Sequence, residues 1–193
     1  MRATRLHAVG DVRTVEVPAP DPGQGEILIR VEAAGICATD RHLFRGEFPC
    51  RPPVTLGHEF CGIVIGRGTD VAIPEGARVA CDPNDWCGHC AQCLRGRVNL
   101  CENNVATGIH RDGGFAEYAT FPARKAIVLP AALHPHHGAF CEPLACTLHG
   151  IDIGAPKPGE RVIVVGGGVI RLFAVQLARL AGAETMLLTR HSA

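Results

Sequence analysis

The chain has 193 residues, room for one ordinary domain or for one domain and part of a second. Hydrophobic residues make up 47% and charged residues 20%, a balance that excludes a disordered chain. Nineteen basic residues offset nineteen acidic ones, which argues against a nucleic-acid partner, because phosphate neutralisation calls for a basic excess.

No apolar run reaches the roughly 18 residues that a membrane span needs, so no membrane association is expected. Residues 1–10 alternate charge with single apolar side chains and lack the apolar core of a secretory signal. A cytoplasmic location is therefore expected. Ten cysteines in such a chain point to metal or thiol chemistry and away from disulfides.

The first third reads as β structure. Val15 and Val17 alternate with polar residues, and Ile27, Ile29 and Val31 alternate through EILIRVEAAG, the period of a half-buried strand. Between them PAPDPGQGE is rich in turn formers. Further strands are expected over residues 61–65, 78–81, 115–121 and 126–129, a pattern of short strands and Gly/Pro turns that predicts a barrel or sandwich. The texture changes near residue 137. HHGAFCEPLACTLHGIDIG reads as a helix with Pro143 as a kink or a first-turn residue, followed by a turn at Pro156-Lys157-Pro158-Gly159. Then RVIVV is an apolar strand, VIRLFAVQLARLAGA an amphipathic helix and TMLLT a second strand, the start of a βαβ unit.

Cys87, Cys90, Cys93 and Cys101 form C-x2-C-x2-C-x7-C. Four thiolates at this spacing can close a tetrahedral shell around Zn2+, leaving no position for a substrate, so the site is read as structural. The surrounding loop has little apolar content, and a metal would supply the order that a core cannot. His89 inside it is read as a solvated bystander. Upstream, Cys37 lies in GICATDRH and His58-Glu59 in GHE. A catalytic zinc wants three protein ligands and one open position: Cys37 offers a thiolate, His58 an imidazole, and Glu59 or Glu142 a carboxylate. Cys50, Cys61, Cys81, Cys141 and Cys146 have no motif role and are expected to be buried as small apolar groups.

The order GIC-A-TD, GHEFCG, CGHCAQC…NLCEN, GGFAEY and CEPLACTLHG, followed by a glycine-rich turn, resembles the zinc-containing medium-chain dehydrogenase/reductases, closest to the polyol and threonine dehydrogenase branch. The resemblance runs from about Pro18 to Thr189. It implies a β-rich GroES-like catalytic domain over residues 1–155 and the start of a Rossmann NAD(P)-binding domain over 156–193. It assigns Cys37, His58 and Glu59 to a catalytic zinc, and Glu142 to binding that zinc or holding its water. Thr39 and His42 become a proton relay, with Asp40 orienting its neighbours, and Cys87, Cys90, Cys93 and Cys101 hold the structural zinc. The implied activity is hydride transfer between a secondary alcohol or polyol and NAD(P), with two zinc ions per chain. Zinc acidifies a bound oxygen, for water from 15.7 to about 7, and the proton would leave through Thr39, the cofactor ribose and His42.

Gly166, Gly168, Val169 and Ile170 stand where a dinucleotide fingerprint belongs, but the third glycine is replaced by Arg171. A long charged side chain there is expected to impair helix–sheet packing, with a turn toward phosphate as the other option. At the end of the second strand Thr189 and Arg190 replace the acidic residue that would receive a ribose 2′-hydroxyl, which favours NADP over NAD. A Rossmann domain needs two βαβαβ halves, and this chain holds one βαβ, so apolar residues of 161–165 and 186–188 are expected to be exposed. The reading is of a fragment, a truncated gene product or a remnant that needs a partner, with the activity of this chain by itself left open. The resemblance implies a homo-oligomer for full-length members, through a surface expected in the absent half, and leaves the oligomeric state of this chain open. Two further readings compete: a non-catalytic zinc-binding remnant without cofactor affinity, and a zinc-loop interaction module.

Overall fold

The computed structural model describes residues 1–190, and contacts divide the chain into one compact unit ending at Phe140 and another beginning at Cys141.

In the first unit β1 (Arg2–Ala8) pairs antiparallel with β2 (Asp11–Glu16). Next come β3 (Glu26–Gly35), a short helix α1 (Ala38–Phe44), β4 (Val54–Thr55), β5 (Glu59–Arg67) and β6 (Arg78–Cys81). A projecting loop carries β7 (Asn84–Asp85), α2 (Ala91–Leu94) and β8 (Val105–Ala106), and the chain returns through β9 (Tyr118–Pro122), β10 (Ala126–Val128) and α3 (Pro135–Ala139). The main sheet runs β10-β6-β5-β3-β9, and a smaller one runs β2-β1-β4. Two register shifts between β3 and β5 bend the main sheet. The EILIRVEAAG alternation is realised in β3, where Ile27 and Ile29 are fully buried with Phe60, Val64, Val79 and Phe121. Phe60 and Phe121 meet edge to face at 5.8 Å. A second core of Leu6, Leu43, Val54 and Leu56 seats α1.

The expected strand over 115–121 begins only at Tyr118. Before it, Phe115 bonds Leu56 and Thr4 through the backbone, and Ala116 bridges to Ala3. The single helix expected from residue 136 to 154 is two helices, α3 and then α4 (Cys141–Gly154). Pro143 has no N–H to give the carbonyl four residues back, so the helix stops at Ala139 and restarts with proline in its first turn.

The second unit holds α4, β11 (Arg161–Val165), α5 (Val169–Leu180) and β12 (Glu184–Leu188). β11 and β12 are parallel neighbours joined by α5, the βαβ order read from the sequence. Helix α4 packs on α5, which is why it groups with this unit although the sequence reading placed the boundary after residue 155. The anticipated exposure is confined to one face of the pair: Ile163, Val165, Met186 and Leu188 are exposed, while Val162, Val164 and Leu187 are half-buried. No helix among the described residues is long and apolar enough to cross a membrane.

Candidate metal centres and nucleotide turn

The four-cysteine loop gathers its sulfurs by short local turns. Cys90 caps α2, Cys93 lies inside it, and Cys101 follows a 3-10 turn at Val98–Leu100. The sulfurs of Cys87 and Cys93 are 4.0 Å apart, those of Cys90 and Cys101 4.0 Å, and those of Cys87 and Cys101 3.6 Å. A tetrahedron of zinc–sulfur bonds near 2.3 Å has edges of about 3.8 Å, so the spacing fits a shared metal. It does not fit a disulfide, whose sulfurs stand about 2.05 Å apart. Backbone N–H groups aim at the sulfurs: Cys87 donates to Cys101 at 3.3 Å and Asn103 to Cys101 at 3.4 Å. The Cys87 thiol is pulled down to about 6, chiefly by the His89 backbone N–H, whereas burial and the neighbouring thiols push Cys93 up to about 12. Four thiols this close together cannot all carry negative charge unless a cation is shared among them. His89 is exposed and its ring Nδ1 lies 2.9 Å from the Cys87 carbonyl, outside the sulfur cluster.

The second cluster is assembled from two distant segments. Gly35 at the end of β3 pairs with Glu59 at the start of β5, so Cys37, two residues further on, faces the His58-Glu59 pair. One ligand atom each from Cys37, His58 and Glu59 lie within 4.8 Å of one another. Cys37 is half-buried, and His58 and Glu59 are each 6% exposed. A carboxylate this deep calls for a cation or a donor beside it. Two glycines make the cluster possible. Gly57 has φ of +93°, and a Cβ there would stand 2.4 Å from the Phe115 ring. A Cβ on Gly35 would stand 2.4 Å from the Glu59 carboxylate oxygen.

Asp40 lies behind the cluster, 5% exposed. One carboxylate oxygen accepts the Cys37 N–H at 2.8 Å, and the other is 3.7 Å from His58 Nδ1. Burial pushes this carboxyl up, opposed by His58 and by the N–H groups of Cys37 and Gly57. A carboxylate behind a ligating imidazole fixes its tautomer and ring orientation. The Thr39 hydroxyl is 3.6 Å from the Cys37 sulfur. His42, three residues along the same helix, is exposed, and its Nδ1 is 2.5 Å from Glu47. The His42 hydrogen bond holds the Glu47 carboxyl below its usual range. Sequence reasoning missed Glu47, which lies beyond the helix end and outside any i, i+4 spacing. An apolar cavity of about 560 Å³ lies beside α1, lined by Val12, Ile36, Phe44, Leu56 and Phe115 with Asp40 at its wall.

Of the five remaining cysteines, Cys61 and Cys81 are buried as expected, Cys50 and Cys141 are half-buried, and Cys146 is exposed, correcting the expectation for that residue. Cys146 sits one helical turn beyond Glu142 and its thiol donates to that carboxylate at 3.3 Å. Glu142 itself is in the first turn of α4, in the second unit.

At the glycine turn Gly166 has φ of +104°, and Gly168 caps α5. Val169 and Ile170 carry first-turn N–H groups that no helix can bond internally. A groove of about 1000 Å³ beside the turn is lined by Gly166, Gly167, Arg171, Leu188, Thr189 and Arg190, among others. The expected wedge between helix and sheet is not formed. Arg171 is exposed and folds back over the turn, its Nε 3.1 Å from where a Cβ on Gly166 would be.

A bent β sheet carrying a closed four-thiolate loop and a buried Cys-His-Glu cluster defines a metal-binding β domain, followed here by a βαβ unit with a glycine turn. The chain belongs to the alcohol dehydrogenase GroES-like domain family, whose signature matches residues 23–131. It is 41% identical over 171 residues to L-galactonate-5-dehydrogenase of Escherichia coli (strain K12), covering 87% of this chain and 50% of that protein. It is 37% identical over 183 residues to sorbitol dehydrogenase of Halalkalibacterium halodurans, covering 94% of this chain and 53% of that one. A crystal structure from Sinorhizobium meliloti 1021, assigned as a zinc-binding dehydrogenase and bound to NADP, superposes with a TM-score of 0.97 at 57% identity, covering 99% of this chain and 56% of that one. The chain spans about half the length of the curated relatives it matches.

Proposed function

We propose that this chain supplies the metal centres and the first nucleotide-binding turn of a zinc-dependent oxidoreductase that moves hydride between a secondary alcohol or polyol and NAD(P), with NADP preferred. The observation that carries the reading is the buried Cys37-His58-Glu59 cluster, three ligands of mixed softness within 4.8 Å. Three protein ligands leave a fourth position for substrate, whereas the Cys87-Cys90-Cys93-Cys101 shell leaves none. Cys37, His58 and Glu59 would hold a zinc that supplies Lewis acidity toward an alcohol oxygen, and a bound nicotinamide would supply the hydride acceptor.

The chain's own groups do the rest. Asp40 holds His58 in orientation, and Gly35 leaves the room that the Glu59 carboxylate occupies. The Thr39 hydroxyl, beside Cys37, would accept the substrate's hydroxyl proton as it gives up its own toward the cofactor ribose, and exposed His42, its Nδ1 held by Glu47, would be the last group before solvent. Glu142 is assigned as a second carboxylate for the metal or for a water. Gly166, Gly168, Val169 and Ile170 receive the pyrophosphate on the α5 terminus. Thr189 and Arg190 offer a hydroxyl and a cation for the 2′-phosphate, which favours NADP.

The test is steady-state oxidation of a panel of polyols and secondary alcohols by the zinc-loaded chain with NADP and with NAD, alongside direct cofactor titration. Turnover of a secondary alcohol, lost in His58→Ala, is expected. Full zinc loading with no binding of either cofactor would instead select the non-catalytic zinc-binding reading.

A further inference from the structure

Arg171 is the one residue of the glycine turn that departs from the fingerprint. Its guanidinium has no hydrogen-bond or ion-pair partner among the described residues. It lies over a turn that is itself electropositive: Nε is 3.1 Å from a Cβ position on Gly166, and Nη1 is 3.6 Å from one on Gly168, the cap of α5. The helix N-terminus adds the equivalent of about half a positive charge. Arg190 lines the same groove, and among the described residues no acidic one does. Two arginines and a helix terminus thus face one cavity with no anion supplied by the described residues.

We propose that Arg171 is a cofactor-positioning residue that clamps the pyrophosphate of the dinucleotide, replacing the close packing of a third glycine with a direct charge-assisted contact. The inference rests on reading the groove as a dinucleotide site. The guanidinium is planar and presents paired N–H donors, so it can grip phosphate oxygens while the α5 N–H groups hold the same phosphates from the other side. Arg171 then acts on any ligand with a pyrophosphate, whereas Arg190 acts only on the 2′-phosphate. The two arginines are separable by ligand.

The test titrates the whole chain and its Arg171→Gln, Arg171→Lys and Arg190→Ala variants with NADPH, NADH and ADP-ribose, following binding by calorimetry at low and moderate salt. Arg171→Gln should weaken all three ligands by about tenfold, the scale of one charge-assisted contact, and flatten the salt dependence. Arg171→Lys should recover part of the loss, and Arg190→Ala should weaken NADPH alone. Equal or tighter binding by Arg171→Gln, with helix content unchanged by circular dichroism, would overturn the proposal and mark Arg171 as an obstruction. Binding of ADP-ribose that depends on Arg171 without binding of either dinucleotide would sink the oxidoreductase reading and leave the clamp standing. No binding of ADP-ribose or either dinucleotide to the unaltered chain would overturn the clamp.

Discussion

The loop between Cys87 and Cys101 and the cluster of Cys37, His58 and Glu59 are both candidate metal centres, yet they are built by opposite means. The loop takes its four sulfurs from one short run of turns, with N–H groups from the same run aimed at them. The cluster takes its ligands from the end of β3 and the start of β5, and holds them with a buried carboxylate and two close glycine contacts. A site built locally depends on its metal for order and little on the rest of the fold. A site built by a sheet inherits its geometry from the core and depends on its supporting side chains. That difference predicts which substitutions damage which centre.

The largest effect is expected from Cys101→Ser. Structural zinc binding of this kind is folding free energy on the order of 10 kcal/mol, so the loop should lose its zinc and open. Metal analysis should fall from two zinc ions per chain to one, and limited proteolysis should cut between residues 87 and 101 while the β core persists. His58→Ala is the mirror experiment: one zinc should again remain, but the loop should stay resistant, and the alcohol turnover proposed above should be lost. Loss of both metals in either variant would break the comparison.

Smaller effects are expected from the supports of the sheet-built centre. Gly35→Ala adds a Cβ 2.4 Å from the Glu59 carboxylate and must displace it. Asp40→Asn removes the charge behind His58. Each should weaken the centre's zinc affinity by about 10- to 100-fold, read by competition with a chelator, and leave the four-cysteine site unchanged. Equal weakening at both sites would show a general loss of fold.

The smallest effect concerns acid. In Glu26, burial raises the carboxyl but the Arg111 hydrogen bond and the Gly23 N–H outweigh it, and in Glu117 the Arg2 backbone and side chain lower it. A carboxyl depressed in the folded state adds stability above its unfolded pKa and loses it as pH falls through the folded one. Thermal denaturation in chelator should therefore give a melting temperature that declines as pH falls below about 4.5. A rise on acidification would contradict these contacts.

The loop was legible because its chemistry and its spacing coincide. C-x2-C-x2-C-x7-C names the ligands without any knowledge of the fold, and the structure brings those four sulfurs together. Cys37, His58 and a carboxylate were legible as a ligand set, but the choice of Glu59 over Glu142 came through the resemblance, since nothing in the spacing says that β3 and β5 pair at Gly35 and Glu59. Helix α1 was invisible: it has seven residues and is capped by a cysteine, not a residue type that announces a helix start. β1 was missed because its buried residues, Ala3 and Leu6, are too few for a periodic signal. Arg171 was misjudged for a physical reason. An exposed long side chain at the first turn of α5 can swing over the helix end instead of wedging beneath it.

The most direct measurement is the zinc content of the purified, unaltered chain, with cobalt substituted for zinc to report each site by its absorption. Two metal ions per chain are predicted, one in an all-thiolate tetrahedral field and one in a mixed sulfur, nitrogen and oxygen field. A single metal confined to the thiolate site would contradict the proposed catalytic centre, and less than one would contradict both.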